Sequence, residues 1–191
     1  MDKADDLALL RAVREGDARA MARIVAVHGP AVYALLRRML RGDAAVDDLF
    51  QDVFLTFARR APELDPATNL HAWLLVVAAN RWRSYRRWRL VDPTRWLVLD
   101  AHEEPHATPD EALDAEATLA QRQALEHLER ALASLEAADR LVVLLHLDDA
   151  LTNADRAAAL AVSEPAYRKR LERARHRLAE ALDSPAQKAR P

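Results

Sequence analysis

Apolar residues recur at intervals of three and four along most of this chain, and that spacing commits it to helices. Leu7, Leu10 and Val13 follow it over residues 4–15. Met21, Ile24, Val25, Val27, Val32, Leu35, Leu36 and Met39 continue it over residues 17–41. Such a repeat paints one face of a helix with oil. Strict alternation, the mark of a half-buried strand, is missing. Composition agrees: there are only 3 Gly in 191 residues, and the apolar 51% is mostly Ala, Leu and Val. These residues favour helix. The length suits one mid-sized domain or two small ones.

Breaks in the repeat divide the chain. Gly29-Pro30 is expected to kink or break the helix over 17–41, because Pro offers no N–H and crowds the preceding turn. Gly42 should stop it, and Asp43 should cap the next helix, over about 43–60. That helix turns Val46, Leu49, Phe50, Val53, Phe54 and Phe57 to one side. Asp43, Asp47 and Asp48 stand at its positive end. Residues 61–69 hold two prolines and form a loop. Residues 70–89 form one helix with an apolar first half, LHAWLLVVAAN, and a basic aromatic second half, RWRSYRRWR. Pro93, Pro105 and Pro109 lie in acidic sequence that reads as a linker. Helices resume at about 111–133, 136–147, 153–160 and 164–182, and the tail SPAQKARP is frayed. The reading is all-α: a helical N-terminal domain, a tether and a helical C-terminal domain.

Several function classes fall away. With 0 Cys, disulfides and cysteine-ligated metals are excluded. The apolar stretch from Leu74 to Ala79 is far short of a membrane span. The opening MDKADDLALL is acidic where a secretion signal would be basic. A soluble, cytoplasmic protein is expected. The net charge of -2 argues against a nucleic-acid binder, but its distribution argues for one. Residues 81–95 carry a net +5, residues 100–118 a net -7, and residues 165–178 a net +5. Two basic blocks around an acidic one suit two contact surfaces and a linker. Solvated helix faces are the plainer alternative.

Residues 152–178 have the frame of a helix-turn-helix. Thr152 or Asn153 caps a short helix ending near Leu160. Ala161-Val162-Ser163 turns the chain. Ser163 caps the next helix, with Pro165 in its first turn. Ala157, Leu160, Val162, Tyr167, Leu171, Ala174 and Leu178 should pack the pair. Arg168, Lys169, Glu172, Arg173 and His176 then lie on the opposite side, as a major-groove reader requires. A surface helix of an ordinary bundle has the same pattern.

Upstream, Trp73, Trp82, Tyr85 and Trp88 interleave with five Arg. Rings that stack on bases beside cations that track phosphate are one solution for single-stranded nucleic acid. Asn80 stands where the apolar half becomes basic, and its amide suits a base edge. Trp73 is better placed in a core. In AVDDLFQDVF, residues 45–54, Asp48, Gln51 and Asp52 share one face. They suit a basic partner better than a metal, since no His is close in sequence. No nucleophile or phosphate-gripping loop accompanies them, so no enzyme, cofactor or metal is expected.

In combination these segments resemble the extracytoplasmic-function (ECF) group of RNA polymerase sigma factors. DDLFQDVF is similar to that family's acidic helix. NLHAWLLVVAANRWRSYRRWR is similar to its strand-opening helix. ALASLEAADRLVVLLHLDDALTNADRAAAL and AVSEPAYRKRLERARHRLAEAL are similar to its C-terminal half, with the R-L-x-R-A-R ending the most specific piece. The resemblance covers about residues 5–184 and implies two helical sigma domains. Domain 2 falls on residues 1–90, the linker on 91–118, domain 4 on 119–184, and a frayed tail on 185–191. It implies docking on the polymerase's largest subunit through Asp48, Leu49, Gln51 and Asp52. It implies −10 recognition and melting through Thr68, Asn69, Leu70, Asn80, Arg83 and Ser84, and −35 reading through Arg168, Lys169, Glu172 and Arg173. Control by an anti-sigma factor is implied too. The chain departs from the family's pattern at Leu70, commonly Phe; at Arg156, usually Ile; at Ala161, usually Gly; and at Ala166, usually Thr. These bear on promoter sequence and strength more than on function class.

A helix-turn-helix regulator working without polymerase explains residues 136–182 but leaves the acidic helix and the aromatic-basic helix idle. A helical adaptor explains the packing and neither charge pattern.

Overall fold

The computed structural model describes residues 3–41, 44–91 and 119–183. Among these residues there are eight α-helices and no strand. They are α1 (Lys3–Arg14), α2 (Ala18–Leu40), α3 (Ala45–Arg60), α4 (Leu70–Val91), α5 (Leu119–Ser134), α6 (Ala137–His146), α7 (Asn153–Leu160) and α8 (Glu164–Asp183). A single 3-10 turn, Ala61–Glu63, follows α3. The all-α expectation holds, and α7 begins and ends on its expected residues.

A break at Pro30 is where structure and sequence part. α2 runs unbroken through Pro30. One proline costs a bond and some crowding. Against this, the helix buries Ala20, Ile24, His28, Val32, Leu35, Leu36 and Met39 along one face, and packing outweighs the local penalty. Gly29 has a separate role. A Cβ there would sit 3.3 Å from the Phe50 ring, so the missing side chain lets α3 close on α2. Gly42 and Asp43, expected as stop and cap, lie outside the described residues. Arg41 ends α2 in the left-handed region, with φ 54°. The residue ahead of α3 is Ala44, without a side-chain cap bond.

α4 is the hub. It packs on α2 and α3 on one side and against α7 on another. This explains an N-terminal half that is apolar all round, since such a helix must be covered on every side. Leu70, Ala72, Leu74, Leu75, Ala78, Ala79 and Trp82 are all buried. The basic second half leaves the packing at its far end, where Trp88 is 52% exposed. At the opposite end of the molecule's N-terminal half, burial lowers the pKa of His28, and the Asp6 carboxylate 3.1 Å away partly restores it.

In the C-terminal half, α8 packs against α5, α6 and α7. Two arginines hold the helix ends together. Arg140 is 4% exposed and donates to the carbonyls of Leu132, Ala133 and Leu135 at 2.7–3.0 Å. It thereby satisfies the open C-terminus of α5. It also reaches the Arg38 carbonyl of α2 at 3.4 Å. Burial, then nearby Arg41, lower its pKa to about 10, so it stays charged at neutral pH. Arg156, in place of the family's usual Ile, donates to the carbonyls of Leu145, His146 and Asp148 at the end of α6. A cation suits that negative end of the helix dipole.

Two changes test this account. Arg140→Met keeps the volume but orphans buried carbonyls, and should destabilise the fold by about 3 kcal/mol in urea unfolding. Ala161 adopts φ 52° and ψ 48° at the end of α7, a conformation that costs an alanine roughly 1 kcal/mol. Ala161→Gly should therefore raise stability by about 1 kcal/mol with an unchanged urea slope.

Candidate nucleic-acid interface

The helix-turn-helix is built by local chemistry. Thr152 and Asp155 form a reciprocal capping box at the start of α7. The Ala161 and Val162 amides donate back to the Ala158 and Ala157 carbonyls and close the turn. Ser163 accepts from the Ala166 amide at 3.4 Å to open α8. Ala157, Leu160, Tyr167 and Ala174 are buried, and Val162, Leu171 and Leu178 pack against them. The fully buried Tyr167 hydroxyl lies 3.2 Å from His146 Nδ1. Burial raises the phenol's pKa and lowers the imidazole's, so both are neutral near pH 7.

With that face packed, Arg168, Lys169, Glu172 and Arg173 all stand exposed on the outside of α8. They recur at helical spacing and form one row. Arg173 rests its Nε on the Lys169 carbonyl at 3.4 Å. His176 pairs with Glu180 at 3.4 Å, and Arg177 with Asp139. A row that is cationic with one acceptor is chemically fit to read base edges or hold phosphates.

The α4 residues have a different setting. Asn69 caps α4: its Oδ1 accepts from the Ala72 amide at 3.0 Å. Its Nδ2 donates to the Ala150 carbonyl at 3.4 Å. Thr68 is half-buried and its amide donates to Asp65 at 2.9 Å. Leu70 is 2% exposed and belongs to the core. Asn80 is exposed and accepts from Arg83. Arg83 also donates to the Ala159 carbonyl of α7. Ser84 accepts from Arg87 at 3.3 Å. Of the four rings, Trp73 meets Phe57 edge-on and Trp82 is buried, while Trp88 remains exposed. Arg86 sits 5.8 Å over Trp82 and Arg89 5.6 Å over Tyr85, so cations and rings form one stacked surface. Arg81 turns back to Thr56 at 2.6 Å, and Arg95 lies outside the described residues.

On α3, Asp48 and Gln51 are exposed and Asp52 is half-exposed. Leu49 is 7% exposed and faces inward. The three polar residues form an acidic edge along α3.

His71 escaped sequence reasoning. Its Nε2 lies 2.8 Å from the Asp148 carboxylate, 77 residues away. The two residues lie in different motif segments, and nothing in a single sequence links them. No group of three or more His, Cys, Asp or Glu suited to a metal occurs among the described residues. No described helix is long and apolar enough to cross a membrane.

Comparison with known proteins agrees with this geometry. The family model for Sigma-70 region 2 matches residues 24–89, which span most of α2, α3 and α4. The RNA polymerase sigma factor CarQ of Myxococcus xanthus is 32% identical over 170 residues, covering 88% of this chain and 92% of CarQ. The RNA polymerase sigma factor CnrH of Cupriavidus metallidurans is 28% identical over 188 residues, covering 96% of this chain and 97% of CnrH. The solved structure of CnrH with the cytosolic domain of CnrY superposes with a TM-score of 0.65 at 26% identity, over 94% of this chain and 97% of that one. The chain therefore belongs to the RNA polymerase sigma factors, in their extracytoplasmic-function group.

Proposed function

We propose that this sigma factor grips core polymerase with the acidic edge of α3 and divides promoter reading between α4 and α8. Asp48, Gln51 and Asp52, seated on Leu49, meet the largest polymerase subunit. Thr68, Asn69, Asn80, Arg83 and Ser84 open and hold the −10 element, on a footing that includes the buried Leu70. Arg168, Lys169, Glu172 and Arg173 read the −35 element. The chemistry of RNA synthesis stays with the polymerase, and this chain is not an enzyme. The working domains are residues 1–90 and 119–184, tethered by the acidic segment 91–118. The place of action is the cytoplasm, and the controlling partner is an anti-sigma factor. The solved complex of CnrH with CnrY supports that last assignment.

The observation that carries the reading is the exposed row of Arg168, Lys169, Glu172 and Arg173 behind a fully packed helix-turn-helix. Weak contacts suffice on each DNA element, because the polymerase tether raises effective concentration. Run-off transcription with purified core polymerase over a promoter library tests it directly. Transcripts should arise from promoters sharing a −10 and a −35 sequence. Folded protein that programs no template would end the proposal.

Asp48→Ala with Gln51→Ala should weaken core binding about tenfold, or about 1.4 kcal/mol, by fluorescence titration. Unchanged binding would remove α3 from the docking surface. Arg173→Ala should cost about 1–3 kcal/mol at a −35 site containing guanine. An equal loss at every −35 sequence would make Arg173 a phosphate contact instead.

A further inference from the structure

The two flanks of the α8 row differ. On one flank Arg177 pairs with Asp139 of α6, and Arg170 is half-buried. On the other flank a notch of about 400 Å³ opens between α8, the end of α6 and the start of α7. Arg168, Glu172 and Arg175 line it from α8, with His146 and Asn153 across from them. Arg175 is exposed and lies seven residues beyond Arg168, two turns along the same side of the helix. Nothing in the −35 reading above uses Arg175, Asn153 or His146.

The chemistry of the notch suits an anion. Two guanidiniums face one carboxylate, so it is positive on balance. A guanidinium matches the oxygens of a phosphate well. Asn153 Oδ1 accepts from Arg156 at 3.2 Å, so the group its amide has left to offer is a donor. Arg156 is itself fixed on the Leu145 and Asp148 carbonyls, which holds Asn153 in place. Burial first, then Arg156 and Arg175, lower the pKa of His146, so the imidazole brings no charge near pH 7. Arg168 and Glu172 belong to the reading row as well as to the notch. An anion in the notch therefore lies directly beside whatever that row reads. A duplex lying along the row carries phosphates past its flank.

Resting on the −35 role proposed above for α8, we infer that the notch is a binding site for one backbone phosphate of the −35 duplex. Arg175 is its main cation and Asn153 its neutral donor. The site reads no base. It fixes how deeply and at what angle α8 sits in the groove.

Holoenzyme assembled from the full-length chain, bound to a duplex that ends upstream of the −10 element, isolates the −35 step. Methylphosphonates placed one at a time along that duplex remove single phosphate charges. At one position beside the −35 element the replacement should weaken parent binding about threefold or more. Arg175→Gln should weaken binding by a similar factor at every −35 sequence and lower the salt slope by about 1. It should also be indifferent to the methylphosphonate at that one position. Arg175 is exposed, so the change leaves the packing intact. Asn153→Asp keeps the oxygen that serves Arg156 and replaces the donor by an acceptor. It should lose sensitivity at the same phosphate. Identical methylphosphonate profiles for parent and Arg175→Gln would overturn the site. So would an altered base preference in Arg175→Gln, which would make that residue a reader of sequence. Arg173→Ala separates this inference from the reading beneath it. If Arg173→Ala changes base preference while the profiles coincide, the notch alone falls. If the parent holoenzyme binds duplexes with and without a −35 element equally, the role of α8 falls, and the notch with it.

Discussion

Everything else in the molecule is arranged round one helix that must be oily on every side for about three turns and cationic for the rest. The first half of α4 has no face that water tolerates, so α2, α3 and α7 all have to lie against it. The second half has too much positive charge to be enclosed, so it projects. The boundary falls at Asn80, where the last fully covered turn meets the first exposed one. Packing demand and the proposed −10 contacts therefore meet on the same few residues. The position that delivers Asn80 and Arg83 to the surface is fixed by the burial of Ala78, Ala79 and Trp82 beside them.

Arginine has a second use that has nothing to do with nucleic acid. Arg140 and Arg156 turn their guanidinium groups onto the carbonyl ends of α5 and α6. The planar fork can serve several carbonyls at once, which a lysine ammonium does less well. Short helices joined by tight turns leave many such carbonyls, and the C-terminal half contains connections of only 2 to 6 residues. In this chain a high arginine content is thus partly a structural material, and counting basic residues alone overstates the DNA-facing charge.

Much of the architecture was legible in the sequence because it is written locally. Helical spacing gave the eight helices, and cap chemistry placed α7 on its residues. The acidic face of α3 and the row on α8 follow from the same periodicity. The failures all involve distance along the chain. Pro30 reads as a breaker when only its neighbours are considered, and is overruled by a face of α2 packed on α3 and α4. Trp82 reads as a stacking ring and is buried at 5% exposure. Leu70 and Leu49 read as contact residues and lie inside the core. Arg156 reads as a misfit for a position usually apolar and turns out to close the end of α6. His71 and Asp148 have no local signal at all, since their meeting depends on how α4 and the α6–α7 turn are packed.

The closeness of Gly29 to Phe50 has a consequence for the outer surface. Phe50 stands between Leu49 and Gln51, in the middle of the acidic edge. Its ring rests where a side chain at residue 29 would otherwise begin. A single absent methyl group thereby sets how near α3 lies to α2, and with it how far the carboxylates of that edge stand out from the body. The depth of that platform is governed from the neighbouring helix by an atom that is not there.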